Sequence, residues 1–107
     1  MKGISSYYEM TDNTEFPYVK DGIGFVCPQK EKVMDFFNKN STSDAILTCS
    51  ASDYITGERF KDSIKRYSDG NYYWTNEEVY HFKKYDLKLN DDFISYVLNQ
   101  TSQKESA

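Results

Sequence analysis

His81 is the only histidine in the chain, and Glu77 stands four residues before it. An imidazole is the one side chain whose ordinary pKa lies near neutrality, so a histidine beside a carboxylate is the first place to look for a general base. Asp53 and Glu58 bracket the segment YITG, and two carboxylates in unlike surroundings can divide acid and base work. Cys27 and Cys49 are the only thiols. None of these sets completes a catalytic unit. No serine or cysteine nucleophile motif accompanies His81, and on a helix the Glu77–His81 spacing is an ordinary surface pairing. Asp53 and Glu58, beside the turn residue Gly57, read as exposed loop groups that carry little of the folding energy. The cysteines form no CxxC pair, and one histidine cannot complete a zinc set with them. They read as free thiols, with Cys49 inside AILTC as a small buried hydrophobe. The residues therefore predict no catalytic centre, no metal and no cofactor.

The elements that must position these groups belong to one small domain, residues 1–100, with a frayed polar tail at 101–107. Ten Tyr, seven Phe and one Trp among 107 residues supply large buried area per side chain, so a modest core is affordable. The net charge is −4, which argues against a general nucleic-acid binder, since displacing counterions from phosphates needs a basic footprint. No apolar run approaches the roughly 18 residues of a membrane span, and MKGISSYYEM lacks the apolar core of a signal peptide. A cytoplasmic protein is expected.

Val33, Phe36 and Phe37 mark an amphipathic helix over 29–39, with Pro28 at its start and Asn40 at its stop. AILTC, residues 45–49, reads as a buried strand. Strands over 60–67 and 71–75 flank Asp69-Gly70, a favoured hairpin turn. A two-residue loop there pairs Tyr67 with Tyr72, Arg66 with Tyr73 and Lys65 with Trp74. It places Tyr67, Tyr72 and Trp74 on one face, and Ile64, Arg66 and Tyr73 on the other. Thr75 and Glu78 form a capping box that starts a helix over 76–85. Asn90, followed by Asp91 and Asp92, starts another over 91–99. The fold class is α+β: a small antiparallel sheet of three or four strands covered by three or four helices. Trp74, Phe36, Phe37, Phe82, Val79, Leu98 and Ile46 are the expected core. Residues 1–27 carry little pattern, and GISSYYEM fits either a strand or a short helix.

AILTC, the acidic turn SDYITGE and the run YSDGNYYWTNEEVYHFKKYDLKLNDDFISYVL together resemble a group of short, mostly uncharacterised bacterial proteins. The hairpin signature is Tyr67, Ser68, Asp69, Gly70, Tyr72 and Trp74. In size and style the chain is also similar to the immunity proteins of bacterial toxin systems. The resemblance implies an α+β fold and assigns no activity to any residue. Surplus tyrosine and net acidity point to a non-catalytic protein-binding surface, in the manner of an immunity or antitoxin-like inhibitor that occludes a basic active site. Asp53, Tyr54 and Glu58 in the loop, with Tyr67 and Tyr72 at the hairpin, are the expected contact residues. Two other readings stand beside this one. The basic, aromatic stretch 59–73 could serve as a platform on which nucleic-acid bases stack, or His81 could act with Asp53 or Glu58 in a small enzyme.

Overall fold

The computed structural model describes residues 2–40 and 42–106. It is an α+β fold with a four-stranded mixed sheet in the order β1-β4-β3-β2. The strands are β1 (Lys2–Gly3), β2 (Ala45–Ser52), β3 (Arg59–Ser68) and β4 (Tyr72–Thr75), and the helices are α1 (Tyr8–Thr11), α2 (Lys30–Lys39), α3 (Asn76–Tyr85) and α4 (Asp91–Ser106). A 3-10 turn lies at Val19–Asp21. β1 runs parallel to β4, and the other pairings are antiparallel.

The hairpin forms, in a different register from the one expected. Tyr67 pairs with Trp74 and Ser68 with Tyr73, two residues away from a loop centred on Asp69-Gly70. The Asp69 side chain is the reason. Its Oδ1 accepts from the backbone N–H of Asn71 and of Tyr72, both at 2.9 Å, which moves the turn centre to Gly70-Asn71. Gly70 sits at φ +97°, where L side chains are strained. A slip of two residues preserves the pleat, so the faces stay as expected. Tyr72 and Trp74 point into the core, while Arg66 and Tyr73 share the other face, with the guanidinium carbon 4.3 Å from the ring centroid.

Thr75 then caps α3: its hydroxyl accepts from the Glu78 N–H, and the Glu78 carboxylate accepts from the Thr75 N–H. Asn76 extends the sheet by its side chain, accepting from the Lys65 N–H at 3.0 Å and donating to the Ser63 carbonyl at 3.0 Å. α2 begins at Lys30, so Pro28 lies just before the helix, and Asn40 stops it. α4 runs to Ser106 rather than ending near residue 99, because its last seven residues are polar but contain no Gly or Pro to break it.

α2, α3 and α4 pack on the Tyr72–Trp74 face of the sheet. Phe36 and Phe37 each lie 5.4 Å from Trp74 between ring centroids, and Phe93 closes against both. Phe82 and Val97 complete this core, with Val79 and Leu98 packed at its border. The N-terminal segment, which has little sequence pattern, contributes both a strand and a helix. Ile4 is fully buried in the main core, and Tyr7, Val19 and Leu87 form a second cluster.

Two expected core residues are not in the core. Ile46 is 64% exposed and Cys49 is exposed. An apolar run identifies a strand but not its neighbours. β2 is the last strand of the sheet, and the helices cover β4 instead.

Candidate functional site

α3 presents a polar stripe to the β2–β3 loop. Glu77, His81 and Tyr85 recur every four residues, with Tyr80 beside them, so they share a helix face. Asp53 opens the loop and is 1% exposed. Its Oδ1 accepts from the N–H groups of Ile55 at 2.8 Å and Thr56 at 3.0 Å. Its Oδ2 accepts from the hydroxyls of Tyr80 at 2.7 Å and Tyr85 at 2.6 Å. Burial alone would raise the Asp53 pKa. The four hydrogen bonds outweigh it and hold the carboxyl well below the usual carboxylate range.

His81 is fully buried, and both of its nitrogens are engaged. Nε2 accepts from the Tyr54 N–H at 3.0 Å. Nδ1 therefore carries the proton and donates to the Glu77 carbonyl, 2.7 Å away. Tyr54 also stacks on the imidazole at 5.4 Å and donates its hydroxyl to Glu77 at 2.8 Å. In this geometry His81 has no free lone pair to offer as a base. The stripe is a clasp that holds the loop to α3.

At the N-terminus of the same helix, Glu78 is also buried. Its carboxylate accepts from the Ser5 hydroxyl in a short contact and from the Thr75 N–H at 3.0 Å. Burial pushes its pKa up to about 7, against the pull of those donors. Burial pushes Glu77 up as well.

The expected contact residues do not form one surface. Asp53 is buried in the clasp, so the expectation of an exposed encounter carboxylate fails there. Tyr54 is half-buried on His81. Tyr72 is 8% exposed; its ring packs on Phe93 and Tyr96 and its hydroxyl donates to Asp92 at 3.2 Å. Glu58 is exposed. Tyr67 lines a cleft of about 290 Å³ together with Phe37, Trp74 and Val79. The loop and the hairpin tip lie at opposite ends of the ten-residue strand β3, roughly 30 Å apart at about 3.3 Å per residue. The proposed aromatic platform is divided too, since Tyr67 and Tyr73 lie on opposite faces and Tyr72 is buried.

The structure exposes a different feature. Among the described residues, β2 is paired on one side only, with β3. Its first six residues, 45–50, are exposed, including Ile46 at 64% and Leu47 at 46%. The strand sequence AILTCSAS contains no charge and no proline, the usual guards of an open edge. Two register shifts against β3 bend it locally. The sequence signal for this edge was the absence of charge over eight strand residues, which reads equally well as burial. A second set of exposed apolar residues, Tyr18, Ile23, Phe25 and Val26, lies outside the sheet; there the N–H groups of Gly24 and Phe25 donate to the carbonyls of Tyr85 and Asp86.

No protein-family model, no curated protein and no solved structure matches the chain.

Proposed function

We propose that this chain is a non-catalytic protein-binding domain, an immunity- or antitoxin-like inhibitor that occludes the active site of a basic effector and grips it along β2. The observation that carries this reading is the open edge itself. The exposed residues 45–50 carry no charge and no proline and leave outward-facing backbone N–H and C=O groups unpaired, and the natural complement of such a row is another extended backbone. The exposed Ile46 and Leu47 supply apolar contact on either face of the added strand. The net charge of −4 speeds encounter with a basic partner. The hydrogen-bond saturation of Asp53 and His81 supports a binding role over a catalytic one. The exposed Cys49 thiol suits a reducing compartment, so the cytoplasm is the proposed location.

The test is affinity capture from a lysate with the wild-type chain and with the double variant Ile46→Lys, Thr48→Lys side by side. Lysines on an edge strand block strand addition and repel a basic partner, while at exposed positions they leave the fold intact. The variant should lose the partner, with affinity weakened by roughly 1–3 kcal/mol. Equal capture by both chains would exclude β2 as the contact.

A further inference from the structure

The cleft of about 290 Å³ that Tyr67 lines opens on the helix-covered face of the sheet, between α2 and α3. Its residues come from α2, β3, β4 and α3, and none from β2, so it stands apart from the proposed contact edge. The rings of Phe37, Tyr67, Trp74 and Tyr80 border it, with Val79 beside them. Its polar groups are mostly committed to the fold. Asn76 accepts from the Lys65 N–H and donates to the Ser63 carbonyl. The Tyr80 hydroxyl donates to Asp53 and accepts from Lys84. The indole N–H of Trp74 is the exception. Trp74 is 1% exposed, yet its N–H has no acceptor among the described residues. Buried tryptophans ordinarily find one, because an unmet donor costs free energy. Arg66 Nε is the one side-chain nitrogen or oxygen among the described residues that is both sealed from solvent and unpartnered. The indole N–H is therefore not sealed, and the opening that Trp74 lines is this cleft.

We propose that this cleft binds a small neutral aromatic molecule whose carbonyl oxygen accepts from the Trp74 indole N–H. The inference goes beyond the strand-addition reading and does not rest on it. Ring-lined walls favour a ring, through edge-to-face and offset contacts. The volume lies at the low end for small-molecule sites, so one ring or a fused pair is the fitting size. No cationic side chain is among the described residues that line the cleft, and the chain carries a net charge of −4. A neutral acceptor is therefore preferred to a carboxylate. One unmet donor amid apolar walls fixes the orientation: the carbonyl meets the indole N–H, and the ring lies among Phe37, Tyr67 and Val79.

Acetophenone and α-methylstyrene are the probes, because they share a shape and differ only in a carbonyl oxygen against a methylene group. Trp74 is the only tryptophan, so its indole N–H gives one identifiable NMR signal in the whole chain. Acetophenone should move that signal downfield in a saturable way, with accompanying shifts at Phe37, Tyr67 and Val79. α-Methylstyrene should bind about fivefold more weakly, the worth of one neutral hydrogen bond, and should not move the indole signal downfield. Asn38→Phe sets a ring across the mouth of the cleft at an exposed position, where the fold is kept, and Val79→Phe fills the cleft from its wall. Both should weaken acetophenone severalfold, with the amide spectrum reporting that each is folded. If acetophenone fails to saturate, or the two probes bind equally, the indole N–H is met by water alone and the proposal fails. Undiminished binding by both folded variants would place the probe elsewhere and overturn the assignment. Saturating acetophenone should leave partner capture unchanged; release of the captured partner would assign the cleft to a side chain of that partner and overturn a free ligand. The strand variant Ile46→Lys, Thr48→Lys should bind acetophenone as the wild type does, so failure of the edge reading and failure of the cleft are told apart.

Discussion

The two edges of the sheet are built in opposite ways. β1 is two residues long, begins with a lysine, and leads into the fully buried Ile4. Asn90 holds it there, donating its backbone N–H to the Ile4 carbonyl at 2.7 Å and its side-chain amide to the Gly3 carbonyl at 3.3 Å. Short, charged and covered, this edge has the standard protections against unwanted pairing. β2 is eight residues long and uncharged, and its first six residues are exposed. The same chain therefore closes one edge and leaves the other available. An open edge is an aggregation hazard, and keeping one while guarding its counterpart is what a strand-binding function requires.

The largest effect should come from the point where the open strand is fastened to the body. Asp53→Ala removes a carboxylate that accepts four hydrogen bonds and leaves two backbone N–H groups and two tyrosine hydroxyls without their acceptor. A loss of about 3 kcal/mol or more is expected, read by urea denaturation. The expectation that loop carboxylates can be replaced without harm to the fold is thereby corrected for Asp53; Glu58, being exposed, should still tolerate it. The edges can be compared directly with one residue type. Ile4→Ala opens a cavity and should cost about 2–5 kcal/mol, whereas Ile46→Ala should stay within about 0.5 kcal/mol while weakening partner capture. Equal costs at both positions would erase the contrast.

Next in size, the pH dependence separates the buried carboxylates. Glu78 has a raised folded pKa of about 7 against an ordinary 4.5. Its contribution to stability is full below pH 4.5 and is lost as the pH rises through 7. Asp53 has the opposite sign: its pKa is lowered, so its contribution is present above the ordinary value of 3.8 and is lost as the pH falls below it. Melting midpoints followed from acid to neutral pH should therefore rise and then decline, and Glu78→Gln should flatten the decline. A smaller loss than at Asp53 or Ile4 is expected at the turn. Gly70→Val meets no atom within 4 Å of the added Cβ, so only the strain at φ +97° remains, at about 1 kcal/mol or somewhat more.

What was legible in the sequence was local. The Thr75–Glu78 capping box, the positive φ at Gly70 and the ring-bearing face of the hairpin all depend on spacings of a few residues, and the faces survived a register error because the error was even. What escaped depends on distant neighbours. AILTC could not show that no helix would lie over it, so Ile46 and Cys49 seemed interior. Asp53 looked like a surface carboxylate because its partners Tyr80 and Tyr85 stand some thirty residues away, on a helix that could be anticipated without knowing what it faced. Tyr72 seemed available until Phe93 and Tyr96 were packed on it. β1 is too short to carry a pattern at all.

Hydrogen–deuterium exchange on β2, in the free chain and in the captured complex, tests the central claim most directly. In the free chain, outward-facing amides among residues 45–50 should exchange much faster than those of β4. In the complex they should become protected, because added backbone hydrogen bonds occupy the edge. If β2 exchanged at the same rate in both states while another surface, such as the segment around Phe25 and Val26, became protected, the open edge would not be the binding site and the account would be wrong.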